Sequence, residues 1–135
     1  MKNLKNTSGF TLIELIMVIV VLGILAVVAI PQFFDISADA KTSAEQGVVG
    51  GVRAGIATKQ ADTLAGGGAA PGYPATLDAI AAGFPVTCDA TNPCFDTVLS
   101  QGGIVSGDWT KTGANAYTGP AGNAFTYVPG TGSFN

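Results

Sequence analysis

Gly9-Phe10-Thr11-Leu12-Ile13-Glu14, followed by the unbroken apolar run Leu15 to Ile30 and then Pro31, is the stretch on which the reading of this chain turns. From Phe10 to Phe34 the single charged residue is Glu14. A helix of this length spans a hydrocarbon layer of roughly 30 Å, which takes about 20 apolar residues. A core helix in so small a protein would show a polar face, and this stretch has none. The expectation is a membrane-spanning helix.

Before the run stand Met1 to Gly9, short, polar and positive at Lys2 and Lys5. A secretory signal runs from a charged segment through an apolar one to a small-residue cleavage site. Here the candidate cleavage point, Gly9-Phe10, precedes the apolar run, so cutting there keeps the hydrophobic segment on the mature chain. Lys2 and Lys5 hold the leader on the cytoplasmic side by the positive-inside bias.

Glu14 is the informative residue. A carboxylate costs about 2.5–3.5 kcal/mol at the bilayer centre and less toward the interface. It either sits at the headgroup boundary and reaches for water, or awaits a cation from a neighbouring subunit. A free amine on Phe10, positive below a pKa of about 7.7–8.0, supplies that cation. A mis-registered neighbour would leave the carboxylate desolvated and unpaired, so the pairing selects one axial register.

These residues, Gly9 to Glu14 with the apolar run behind them, closely resemble the type IV prepilin signature shared by pilins and type II secretion pseudopilins. The resemblance is strong over residues 9 to about 35 and looser beyond. It implies cleavage after Gly9 by a prepilin peptidase, N-methylation of Phe10, and an assembly role for Phe10 and Glu14. Gly23 through Pro31 also looks like the family, in which the segment between such a glycine and proline loses helical hydrogen bonds in the filament. Pro31 removes a backbone donor and Gly23 lowers helix propensity, so a kink in a membrane helix explains the same residues. The implied fold is α+β, a long N-terminal helix packed on a small antiparallel sheet head. Its divisions are a leader at 1–9, a transmembrane and assembly helix at 10–35, an amphipathic continuation at 36–64, and the head at 65–135. The implied partners are identical subunits and minor pilins, the peptidase, an inner-membrane assembly platform, and lipid before assembly.

Beyond Pro31 a helical pattern continues to Leu64. Ala40, Ala44, Val48, Val52 and Ile56 recur at four-residue spacing and are expected to line one face, with Asp39, Lys41, Glu45, Arg53 and Lys59 on solvated faces. Gly47, Gly50, Gly51 and Gly55 each cost about 1 kcal/mol against Ala, and either admit a close neighbour or mark a break. Unbroken from Phe10 to Asp62, the helix would be about 80 Å long. Gly66-Gly67-Gly68 ends it, Ala69 to Pro74 reads as a loop, and Tyr73 to Ile80 reads as a short helix. Short strands are expected near Phe95–Leu99, Gly103–Ser106, Ala116–Thr118 and Ala124–Val128, with Trp109, Tyr117 and Phe134 in the core. In an exported chain Cys88 and Cys94 are expected to form a disulfide. The pair lies closer together and farther from the C-terminus than the loop-closing disulfide of many type IV pilins.

The composition excludes several functions. The net charge is −3, and the basic residues do not cluster downstream, so no phosphate-neutralising patch for nucleic acid is present. Histidine is absent, which removes His-based acid–base and nucleophilic chemistry and the common zinc sites. No catalytic residues, metal ligands or cofactor are assigned; Asp89, Asp96 and Asp108 follow no calcium-loop spacing. The reading is a non-enzymatic subunit of a type IV pilus, most like the mannose-sensitive-haemagglutinin-type pilins. A secretion pseudopilin is the alternative, and a membrane-tethered module that never polymerises ranks last.

Overall fold

The structure is a computed structural model and describes residues 9–81 and 83–135. The leader lies outside the described residues except for Gly9. Helix α1 runs Leu12–Ala65 and contains Pro31. Five strands follow: β1 (Val86–Thr87), β2 (Thr110–Gly113), β3 (Ala116–Thr118), β4 (Ala124–Val128) and β5 (Ser133–Phe134). They form one antiparallel sheet in the order β1-β2-β3-β4-β5. The chain divides into two compact units between Ala38 and Asp39. The architecture is α+β: α1 is long, and within the second unit its C-terminal part packs on a small antiparallel sheet.

In the first unit the apolar residues of α1 are exposed on every side, from Leu12 to Ile36. An unmarked apolar cylinder of this kind has no self-contained solution in water. It is the one described helix long and apolar enough to cross a membrane.

In the second unit α1 buries Glu45, Val49, Val52 and Ile56. This corrects the expected face, since Ala40 and Ala44 are exposed and Val48 is half-buried. With 3.6 residues per turn, a strict four-residue row drifts about 40° per step, whereas 45-49-52-56 stays on one side. Val52 and Ile56 share a core with Leu77, Phe95, Trp109, Tyr117, Tyr127 and Phe134. The cross-strand pairs Tyr117↔Phe125 and Tyr127↔Phe134 bring most of those rings together. Phe95 sits at the centre, 5.4 Å from the Trp109 ring, 4.4 Å from Tyr117 and 5.6 Å from Phe134. Gly55 lets a loop lie on the helix, because a Cβ there would meet the Val98 carbonyl oxygen at 2.2 Å.

The expected strands at Ala116–Thr118 and Ala124–Val128 are present, with Tyr127 buried and Thr126 and Val128 exposed. Residues 95–99 are not a strand. Phe95 has φ 61°, and its carbonyl accepts from Val98 N and Leu99 N at 3.2 and 2.9 Å, which closes a turn. Around Gly103–Ser106 there is one isolated bridge, Cys94↔Ile104. Tyr73–Ile80 is not helical, because side chains take the backbone donors a helix would need. Asp96 Oδ1 accepts from Ala79 N at 3.1 Å and Asp78 Oδ1 from Ile80 N at 3.1 Å.

Candidate functional site: the N-terminal turn of the apolar helix

The helix begins with a cap. Thr11 precedes the first helical residue, and its Oγ1 accepts from the Glu14 backbone N–H at 3.3 Å. Its carbonyl accepts from Glu14 N and Leu15 N at 3.1 and 3.3 Å. Thr11 is therefore the N-cap and Glu14 the third helical residue, the Thr-x-x-Glu arrangement of a capping box. A carboxylate in the first turn also faces the positive end of the helix dipole. This local role for Thr11 was legible in the spacing of Thr11 and Glu14, but the reading of Glu14 as a membrane anomaly passed over it.

Phe10 stands just outside the helix and is 83 % exposed, and Glu14 is exposed as well. Nothing lies within 4 Å of where a Cβ on Gly9 or Gly23 would project. Neither glycine is demanded by packing among the described residues. The helix continues without interruption from Gly23 through Pro31. The turn thus gathers a small residue, an exposed aromatic at the point where a new amine would form, a cap, and an acid one turn away.

Several charged groups of the second unit have structural work. Glu45, expected on a solvated face, is 1 % exposed. Its carboxylate accepts from Ala121 N at 3.1 Å and Asn123 Nδ2 at 2.5 Å, fastening the loop between β3 and β4 to α1. Gly119 makes this possible, since a Cβ there would lie 2.2 Å from Glu45 Oε2.

Sequence reasoning also missed a buried ion pair. Lys111 Nζ donates to Asp78 Oδ1 at 2.5 Å and to the Ile80 carbonyl at 2.7 Å, with both charged side chains fully buried. The Phe84 ring centroid lies 5.2 Å from the same ammonium. Tyr117 Oη donates to the other Asp78 oxygen at 2.8 Å. Burial first, then the bond to Asp78 and its charge, push the Tyr117 phenol well above its ordinary value. No periodicity announces such a pair, because Asp78 and Lys111 meet only once β2 has paired.

Cys88 and Cys94 are joined, with Cα atoms 5.2 Å apart, and both are buried. Asp89 Oδ1 accepts from Thr91 N at 2.8 Å and Asn92 N at 2.9 Å inside that small loop. Asp89 thus serves a backbone turn, and Asp96 ties the backbone at Ala79 to its own loop.

The profile for the prokaryotic N-terminal methylation motif matches residues 4–30, which is the type IV pilin and prepilin signature. The match covers the N-terminal turn and the whole apolar run to Ile30 and does not extend into the second unit. Neither a curated protein nor a solved structure gives a match.

Proposed function

We propose that this chain, a carrier of the type IV prepilin signature, is the structural subunit of a type IV pilus. It is cut between Gly9 and Phe10, methylated on Phe10, held in the inner membrane by α1, and polymerised through the same helix. The observation that carries this reading is the exposed, largely apolar helix from Leu12 to Ile36, whose charges are the first-turn acid Glu14 and, later, Asp35.

The physical argument runs from burial to assembly. A helix apolar on all faces must lie in lipid or against its neighbours. Exchanging lipid tails for other helices costs little, because the two surroundings are similarly apolar. Head-to-tail contacts whose rotation does not close give an open helical filament. The Phe10 amine of one subunit and Glu14 of another fix the axial register. Since neither Gly9 nor Gly23 is needed for packing among the described residues, we assign Gly9 to peptidase recognition. Gly23 and Pro31 we assign to the segment that yields during assembly.

Intact mass under non-reducing conditions tests this, measured on sheared cell-surface material and on membranes. The expected result is a surface species that starts at methylated Phe10 and carries one disulfide. The processed species confined to membranes would instead identify a pseudopilin. A chain that retains Met1 to Gly9 in both fractions would overturn the prepilin reading.

A further inference from the structure

In the second unit the large apolar side chains left exposed among the described residues are Leu64, Val105 and Val128. Val105 is 53 % exposed and borders a groove of about 350 Å³ whose other walls include Ala44, Val48, Ile104, Trp109 and Pro120. We propose that this groove receives α1 of a second copy of the chain, with Phe33 as the anchor and Ile36 beside it. The inference rests on the polymer reading above and adds to it a contact between a helix and a head.

The choice of occupant follows from length. About 20 helical residues exhaust a hydrocarbon layer of roughly 30 Å. Counted from Phe10, that length is used up by about Ile30. Phe33 and Ile36 lie beyond it and are 71 % and 63 % exposed. Three residues apart, they share a face with Leu25, Ala29 and Gln32, and together these line one side of the helix. That side has no charge, and Asp35 falls roughly opposite Phe33 at about 100° per residue. The chain therefore presents an aromatic-led apolar ridge that lipid cannot cover.

The groove is the matching surface. Its lining is mostly apolar, with Ser106 and Asp108 as the polar exceptions, Ala44 admits a close helix approach, and its size suits an aromatic ring. Buried aromatic anchors seated in apolar pockets dominate protein contacts. Because α1 supplies Ala44 and Val48 to the groove, the contact continues the helix-to-helix interface of the proposed filament. One surface of each copy is used as ridge and another as groove, the heterologous arrangement an open fibre requires.

Two experiments decide it. Co-expressing a Phe33→Cys chain with a Val105→Cys chain should give a disulfide-linked heterodimer in sheared filaments. Either variant expressed alone should not give that product. Filaments that contain both variants without the heterodimer would overturn the proposal. Wild-type filaments and detergent-solubilised subunits, compared by hydroxyl-radical labelling, cover the case in which the cysteine variants do not assemble. Val105 and Phe33 should lose most of their labelling in the filament alone. Equal labelling in both states, or protection that is already complete in the separate subunit or in the membrane, would overturn the proposal. If the wild-type chain forms no filament at all, the polymer reading itself fails, and that outcome is separable from the others.

Discussion

Asp78→Asn is the most informative substitution in the head. It preserves the shape of the side chain and removes its charge. Lys111 would be left fully buried with the Ile80 carbonyl and aromatic faces as its surviving partners of full strength. Removing one member of a buried ion pair costs about 3–5 kcal/mol, because the remaining charge is desolvated without compensation. Tyr117 adds to this, since its hydroxyl donates to the same carboxylate. For domains of about 60–100 residues, each kcal/mol lowers Tm by about 4–8 °C, so the expected fall is at least about 12 °C. Thermal unfolding of the full chain in detergent, followed by Trp109 fluorescence, is a suitable assay because that indole is buried in the affected core. The companion double variant, Asp78→Leu with Lys111→Met, made on a Tyr117→Phe background so that no buried hydroxyl is orphaned, should recover most of the loss, since a buried pair replaced by apolar residues is often neutral or stabilising. A single variant within about 2 °C of the parent would refute the claim that the pair is dry, that shift being under 1 kcal/mol. A double variant as unstable as the single one would show that shape and not charge sets the cost.

Gly119→Ala should destabilise the head by about 1–3 kcal/mol in chemical denaturation, because the new methyl occupies the place of the pinned Glu45 carboxylate. Stability should be insensitive to alkali below about pH 10 and should then fall as pH rises, by up to about 1.4 kcal/mol per pH step for Tyr117. The sign follows from the raised folded-state value of that phenol, since the unfolded chain ionises first. A Tm that is flat from pH 9 to about pH 11 would contradict it, because the unfolded phenol ionises near pH 10. Glu14→Leu should leave membrane insertion intact and abolish filament yield, and normal yield in sheared material would remove the pairing role given to Glu14.

The N-terminal third was legible because its signal is one-dimensional. Length, apolarity and a single acid are properties of order along the chain, and α1 needs no tertiary information to be drawn. The end of the helix at Gly66, the strands at Ala116–Thr118 and Ala124–Val128, and the burial of Trp109, Tyr117 and Phe134 were also readable, from turn residues and alternation. Four features were not. The buried face of α1 was misplaced because a four-residue row and a 3.6-residue helix diverge between Ala40 and Ile56. Tyr73–Ile80 has a plausible apolar period, yet Asp78 and Asp96 capture the backbone donors that a helix would use. Glu45 looked solvated by residue type, and only a glycine about seventy residues later gives it the room to be buried. Strand β2 was missed for a similar reason, since its Lys111 reads as polar until Asp78 is placed beside it.

The enclosure of Lys111 has a practical use at the bench. Of the described lysines, Lys41 and Lys59 are exposed and Lys111 is not. An amine-reactive dye applied to folded subunits should therefore decorate two lysine side chains per head, apart from the α-amine. A third dye on that side of the count records a head that has opened, however briefly, during the incubation. Labelling stoichiometry followed over time becomes a clock for opening of the sheet. It needs no engineered reporter and reads the one described lysine that the fold conceals.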